Sequence, residues 1–390
     1  MNVCFETFGC RLNRAEALED EAKCLAAGHK VVTDHRDADF FVIRGCSVTS
    51  RAQHDCEKLI EHLHQKYPNK RIHITGCLKD AHPLVVKVKD ETPPVPMSTA
   101  RAYLKAQDGC NGECTFCIVP HFRGKSAAED FTSVVDKAKR FIDAGYHEIV
   151  LTGCNLSLYA SGGKRLSDLV AALAEIDPAC RIRLGSLEPF LAAEETIDAI
   201  AEHENVCRFL HMPVQSGSNR ILAMMKRPYT ADKAEQLMHK ALSLMPSVAL
   251  GCDMISGFPG ESDRDHLASE TLLTRLKVVN VHSFPFSRRP GTPAATMAGQ
   301  LDHGLVVNRA KALAKIGESN RRTYAKKFID KTVEVVVESE QRACGWTGEY
   351  LWFEEQQSDL TMPQKESERR KTIRFKVKEA HGGVLYGTRV

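Results

Sequence analysis

Ala102-Tyr103-Leu104-Lys105-Ala106-Gln107-Asp108-Gly109-Cys110-Asn111-Gly112-Glu113-Cys114-Thr115-Phe116-Cys117 joins a β-rich run to three closely spaced cysteines. Ala102–Ala106 reads as a strand, and the C-x3-C-x2-C triplet follows it in a loop. Three thiolates at this spacing can hold three irons of a [4Fe–4S] cluster, leaving the fourth iron open to a small molecule. A structural zinc site calls for four ligands, and His121, four residues beyond Cys117, keeps a Cys3His zinc site as the alternative. Placement favours the cluster, because the catalytic loops of a β/α barrel lie at the carboxyl ends of its strands.

The alternation continues outward from this stretch. Downstream strands are expected at Glu148–Leu151, Arg181–Leu184, Phe209–Met212, Ala249–Ile255 and Val279–Phe284. Helical periodicity at Thr132–Ala144, Ala192–His203, Ala231–Leu244 and Asp263–Leu276 separates them. The reading is α/β, with an incomplete (β/α)6 barrel over residues 98–300. Upstream, residues 1–90 read as three strand–helix units of a parallel α/β domain. Their strands are Asn2–Thr7, Phe40–Ile43 and Arg71–Thr75, with helices at Ala15–Ala27 (Asn13 and Glu16 capping, Gly28 stopping) and Ser50–Lys66. Lys87–Pro96 reads as a linker. Beyond Pro290–Pro293, residues 301–328 hold a basic helix near Gly304–Lys327. Residues 329–390 carry short alternating runs (Val333–Glu338, Thr347–Phe353, Thr372–Lys378, Gly383–Thr388) around a charged stretch, Glu354–Lys371. That tail is expected to be a small all-β barrel.

The chain has 14 cysteines among 390 residues. No uninterrupted apolar run reaches membrane-helix length, and Met1-Asn2-Val3-Cys4-Phe5-Glu6 does not look like a signal peptide. A cytoplasmic location, free of membranes, is therefore expected, and there metal ligation is a better default than disulfides. Cys10, Cys46 and Cys77 each follow a glycine and lie just past an expected parallel strand. Loops at that sheet edge converge, so the three thiolates can hold a second cluster; three unrelated buried thiols are the alternative. Cys4, Cys24, Cys56, Cys180, Cys207, Cys252 and Cys344 read as small buried hydrophobes. The net charge of +3 is uninformative. Locally, Arg309–Lys327 holds seven basic residues against one acid, either a phosphate-binding helix or a solvated face.

The Cys110 triplet is the signature of the radical S-adenosylmethionine (SAM) superfamily, and the two triads in this order resemble the methylthiotransferases. The resemblance spans nearly the whole chain, through Thr7–Asn13, Cys46-Ser47-Val48-Thr49, Gly109–Pro120 with Arg123-Gly124, Ile149–Gly153, Leu210–Asn219, Asp253–Glu261 and Phe284–Ala295. It implies two [4Fe–4S] clusters, held by Cys110, Cys114 and Cys117 and by Cys10, Cys46 and Cys77. One SAM methylates sulfur at the auxiliary cluster, and a second supplies the radical that removes hydrogen from the substrate carbon. It further implies that Ser186, Glu188, Gln215, Ser216, Ile255 and Gly257 face SAM, and that the tail is an RNA-binding TRAM domain. Implied partners are tRNA through its anticodon loop, an electron donor such as a flavodoxin or ferredoxin, and a sulfur donor.

Three branches are open: an aspartate of a ribosomal protein, isopentenylated adenosine in tRNA, or threonylcarbamoylated adenosine next to the anticodon. Phe286–Pro293 resembles the tRNA branches, and the cysteine-loop segments lean towards the threonylcarbamoyl one. Arg288 and Arg289 would pair with the threonine carboxylate. Arg44-Gly45, Lys79-Asp80 and the spacer of only about thirty residues between Cys77 and Cys110 depart from the family pattern. Trp346, Tyr350, Trp352 and Phe353 are candidates for stacking on RNA or for core. A zinc-stabilised RNA-binding protein is the alternative of another class.

Overall fold

Residues 2–77 build a single parallel sheet. In order they form β1 (Asn2–Thr7), α1 (Arg11–Ala26), β2 (Lys30–Val32), β3 (Phe40–Cys46), α2 (Ser50–Lys66) and β4 (Arg71–Cys77), with strand order β2-β1-β3-β4. The computed structural model describes every residue except 49, 79, 80, 83, 86–93, 97, 191, 192, 340–342 and 357–367. Thr49, Lys79-Asp80, most of the Lys87–Pro96 linker and much of Glu354–Lys371 thus lie outside the described residues. Two expectations need correction. The expected third strand–helix unit shows no helix after β4 among the described residues, which leave out 79, 80, 83, 86–93 and 97 of that interval. And α1 starts at Arg11, with Cys10 rather than Asn13 at its N-cap. Asn13 is buried inside the helix, and its amide donates to Phe8 O at 2.8 Å and Gly45 O at 2.9 Å. Its hydrogen-bonding capacity ties two loops together instead of capping.

The chain continues through β5 (Ala102–Asp108), α3 (Val119–Arg123), β6 (Ala127–Ala128), α4 (Phe131–Asp143), β7 (Glu148–Gly153), β8 (Ala160–Ser161), β9 (Lys164–Arg165), α5 (Leu166–Ile176) and β10 (Arg181–Leu184). Then come α6 (Ala193–Glu202), β11 (Phe209–Gln215), α7 (Asn219–Met224), α8 (Ala231–Leu244), β12 (Ala249–Ser256), α9 (Asp263–Arg275) and β13 (Asn280–Pro285). β5, β7 and β10 are parallel neighbours, as are β11, β12 and β13. Parallel bridges Ile182–Val206 and Ser186–His211 carry the curve from β10 to β11. Six parallel strands therefore form the expected open barrel. Strand side chains alternate: Leu104, Ile149, Leu151, Ile182, Leu210, Met212 and Met254 pack in the main core. Tyr103 and Val150 point the other way, where Ala15 and Leu18 of α1 cover them. Asp130, Thr230 and Ser262 cap α4, α8 and α9, satisfying otherwise orphaned amides.

α10 (His303–Ala325) leads into β14 (Thr332–Val337), β15 (Cys344–Thr347), β16 (Trp352–Glu355), β17 (Thr372–His381) and β18 (Val384–Arg389), a closed barrel in the order β14-β15-β16-β18-β17. The expected strand Thr347–Phe353 is instead the end of β15, a turn over 348–351 with Tyr350 at φ +63°, and the start of β16. Phe353 is buried against Phe375, and Tyr350 is stacked between Trp346 and Phe209, so packing claims both rings. Cys344 is half-buried, unlike the other six cysteines read as buried hydrophobes. Arg309 of the basic run is buried on Glu261 and Asp263, while Lys311, Lys315, Arg322, Lys326 and Lys327 are exposed. Among the described residues no helix is long and apolar enough to cross a membrane.

Glu21 of α1 is buried with Oε2 unpartnered, and burial pushes its carboxyl up from 4.5 to about 7. The unfolded chain then releases this proton before the folded one does. Stability therefore falls as pH rises between those two values. Glu21→Gln should unfold like the parent at pH 4 and be more stable by about 1–3 kcal/mol at pH 8. Denaturant titrations at both pH values decide; a pH-independent difference would contradict the assignment.

Candidate active site

The sheet edge assembles the first cysteine triad. Cys46 and Cys77 are paired in register at the ends of the adjacent strands β3 and β4. Cys10 follows β1, the other neighbour of β3, at the positive end of α1. Gly9 has φ +90°, and a Cβ there would lie 2.7 Å from Cys46 Sγ, so only glycine lets the Cys10 loop rest on Cys46. Cys46 and Cys77 are buried and Cys10 is exposed. Burial pushes the Cys77 thiol up, against the Arg123 guanidinium, whose Nε donates to Cys77 Sγ at 3.0 Å. The unusual Arg44 is directed onto α1, pairing with Glu16 Oε2 at 2.7 Å and with Asp20.

The second triad hangs from the end of β5. Gln107 is fully buried, and its Nε2 donates to Gly109 O at 2.7 Å and Ser126 Oγ at 2.9 Å. Gly109, at φ +65°, lies so close to Lys125 that a Cβ would sit 2.1 Å from its carbonyl oxygen. Thr115 donates from N to Met225 O at 3.1 Å and from Oγ1 to Met224 O at 3.0 Å. Its own carbonyl accepts from Ala294 N at 2.8 Å. The loop is therefore clamped between α7 and the turn after β13. Burial raises the Cys114 thiol and takes Cys117 up to about 11; metal binding has to displace these protons.

Several residues here were not singled out from sequence. Arg227 donates from Nη1 to Cys114 Sγ at 3.0 Å and pairs through Nη2 with Glu188. Asn155 approaches Cys110 Sγ with Nδ2 at 3.9 Å, and its buried Oδ1 has no partner. Cys154 lies 3.4 Å from Asp108 Oδ1, its thiol held far up by burial. Across the barrel mouth, Asp253 Oδ1 accepts from His211 Nε2 at 2.9 Å and His282 Nδ1 at 3.0 Å. An arginine or asparagine without a repeating pattern leaves no mark in one sequence, and these groups meet only through strand adjacency.

Of the residues expected to face SAM, Glu188 sits beside Arg227, its carboxyl pushed up to about 7 by burial in spite of that cation. Ser186 is exposed at the mouth, bridged to His211. Gln215 ends β11 at φ +72°. Ser216 is fully buried, with its hydroxyl accepting from Ser218 N at 3.1 Å. Ile255 packs with Phe258 and Tyr229. Gly257, at φ +74°, packs against α10, where a Cβ would lie 2.4 Å from Val306. Arg288 is exposed on Gln300. Arg289 is half-buried near Cys46; Nη1 donates to Gln53 Oε1 at 3.3 Å, and Nε and Nη2 are buried without partners.

These features fit clusters better than zinc. Among the described residues, the tight His, Cys and carboxylate groups are Cys4–Glu6–His35 and His211–Asp253–His282, and neither contains a triad cysteine. His121 is exposed. Each triad also brings a buried guanidinium to one sulfur, which suits an anionic iron–sulfur centre.

The sequence profile of the Radical SAM superfamily matches residues 104–272, and that of the uncharacterised protein family UPF0004 matches 2–95. Among curated relatives, the threonylcarbamoyladenosine tRNA methylthiotransferase MtaB of Chlamydia pneumoniae is 30% identical over 85% of this chain and 85% of its own. Its Bacillus subtilis (strain 168) namesake is 29% identical over 90% and 89%. The tRNA-2-methylthio-N(6)-dimethylallyladenosine synthase of Chlorobium chlorochromatii (strain CaD3) is 30% identical over 86% of each chain. Among solved structures, the radical SAM methyltransferase TsrM of Kitasatospora setae, with cobalamin and a [4Fe–4S] cluster bound, covers 75% of this chain and 77% of its own. With a TM-score of 0.54 at 14% identity, this is a likeness of fold.

Proposed function

The chain belongs to the radical SAM tRNA methylthiotransferases, and from that premise we propose that its substrate is N6-threonylcarbamoyladenosine next to the anticodon, converted to the 2-methylthio derivative. The enzyme is a transferase that uses SAM and [4Fe–4S] clusters. In this reading Cys110, Cys114 and Cys117 hold the cluster that binds SAM, and Cys10, Cys46 and Cys77 hold the auxiliary one. Once bound, the two centres supply the electron that cleaves SAM and the site at which sulfur is methylated and handed on.

The protein's part is position and exclusion of water. The unpartnered Asn155 Oδ1 and the Glu188 carboxylate are acceptors for a SAM ammonium or ribose hydroxyl. Arg227 fixes Glu188 relative to Cys114. Exposed Lys311, Lys315, Arg322, Lys326 and Lys327 offer phosphate contacts to the tRNA, whose loop bases can be unstacked into a pocket. A flavodoxin- or ferredoxin-like electron donor and a sulfur donor complete the reading.

One observation carries the choice of adenosine. Arg289 presents two buried, unpartnered guanidinium nitrogens near Cys46. Leaving such donors unmet is costly, and a carboxylate matches them bidentately. The threonylcarbamoyl group has a carboxylate; the isopentenyl group has none. Arg289→Met should lower kcat/KM on threonylcarbamoylated tRNA by about 10–100-fold, the value of one to two charged hydrogen bonds. Arg288→Met, on the exposed neighbour, should stay within about threefold. Equal losses in the two variants, or none in Arg289→Met, would remove the support for this substrate.

A further inference from the structure

Arg123 is the last residue of α3, six residues after Cys117. Its side chain is only 8% exposed, and every one of its N–H groups has a partner. Nε donates to Cys77 Sγ at 3.0 Å. Nη1 donates to Glu16 Oε1 at 2.9 Å and Asp108 Oδ1 at 3.0 Å. Nη2 donates to Asn13 Oδ1 at 2.8 Å and Glu16 Oε2 at 3.0 Å. Three of these four partners lead to a cysteine. Asp108 ends the strand that launches Cys110, and Cys77 is itself in the auxiliary triad. Asn13 passes the connection on, donating to Phe8 O and Gly45 O in the loops that carry Cys10 and Cys46. One guanidinium thus touches the supports of both triads.

We propose that Arg123 is a positioning residue that locks the two triads at a fixed separation and raises the reduction potential of the auxiliary centre through its hydrogen bond to Cys77. The proposal rests on the two-cluster reading above. An N–H donated to a ligating thiolate withdraws charge from sulfur and so favours the reduced cluster over the oxidised one. A full guanidinium does this more strongly than a neutral amide. Glu16 and Asp108 keep the cation desolvated but compensated, so Arg123 can remain buried against the sulfur without collapsing onto solvent. Arg227 plays the matching part at Cys114, but it makes no contact with the auxiliary triad among the described residues.

The experiment is an anaerobic redox titration followed by electron paramagnetic resonance on the full chain with both clusters reconstituted, comparing the parent with Arg123→Gln and Arg123→Lys. The auxiliary signal is identified as the one lost in the Cys10, Cys46, Cys77 triple alanine variant. Its midpoint should fall in Arg123→Gln and fall less in Arg123→Lys, while the signal of the Cys110 triad stays at the parent value. Uncoupled SAM cleavage should persist in both variants while methylthio transfer drops. If Arg123→Gln does not take up the auxiliary irons, Arg123→Lys alone decides. An unchanged auxiliary midpoint in the variants overturns the proposal and leaves the two-cluster reading intact; a parent protein with no second signal overturns that reading instead.

Discussion

Changing Cys10, Cys46 and Cys77 together to alanine is expected to lower the iron content of anaerobically reconstituted protein from about eight to about four per chain. It should also abolish methylthio transfer while leaving SAM cleavage to 5′-deoxyadenosine measurable. The separation of the two effects follows from the architecture. The Cys110 loop is built by Gln107, Gly109 and Thr115, anchored on α7 and on the turn at Ala294. The auxiliary triad depends instead on the register of β3 with β4 and on Gly9 lying against Cys46. Iron and sulfide analysis alongside liquid chromatography of 5′-deoxyadenosine reads both arms. A triple variant that keeps about eight irons would place the second cluster elsewhere or remove it from the account.

The largest effect on stability is expected at Glu148. It is fully buried on β7; Oε1 accepts from Arg183 Nε at 2.7 Å, and Oε2 accepts from Arg181 Nη2 at 2.5 Å and Arg183 Nη2 at 3.2 Å. Burial opposes its charge, yet Arg183, Arg181 and Arg101 outweigh burial and hold the carboxyl well below its ordinary range. The same two arginines donate onward to the carboxyl-terminal barrel, at Glu334 O, Trp346 O, Thr347 O and Gly348 O. Removing the carboxylate leaves buried cations without a counter-charge, which costs about 3–5 kcal/mol. Glu148→Ala should therefore lower the unfolding free energy by that order and expose the connector before β14 to proteolysis. A shift below about 1 kcal/mol would mean that the carboxyl-terminal barrel is held by its aromatic contacts instead.

Local pattern was enough for the parallel sheet, the six-stranded barrel and the all-β tail, because apolar runs of strand length alternating with capped helices leave few arrangements. The positions of the six triad cysteines were legible for a related reason: they lie at or just past strand ends, where spacing and glycine mark the turn. The misreadings have physical causes. Asn13 has the composition of a cap but donates to Phe8 and Gly45 across the fold. The run Thr347–Phe353 alternates like a strand, yet Tyr350 takes φ +63° to stack on Phe209 at the start of β11. Arg123, Arg227 and Asn155 act through partners 15 to 113 residues away, and nothing near them in the chain announces it. Arg289 could be proposed from charge alone; its separation from the exposed Arg288 required the fold.

The most direct measurement is mass spectrometry of tRNA nucleosides from cells deleted for this gene and from the same cells carrying it back, either intact or with Cys77 changed to alanine. The account predicts that 2-methylthio-N6-threonylcarbamoyladenosine vanishes on deletion and that unmethylthiolated precursor accumulates. Only the intact gene should restore the modified form. Unaltered levels of that nucleoside in the deletion strain, or full restoration by the Cys77 variant, would contradict it.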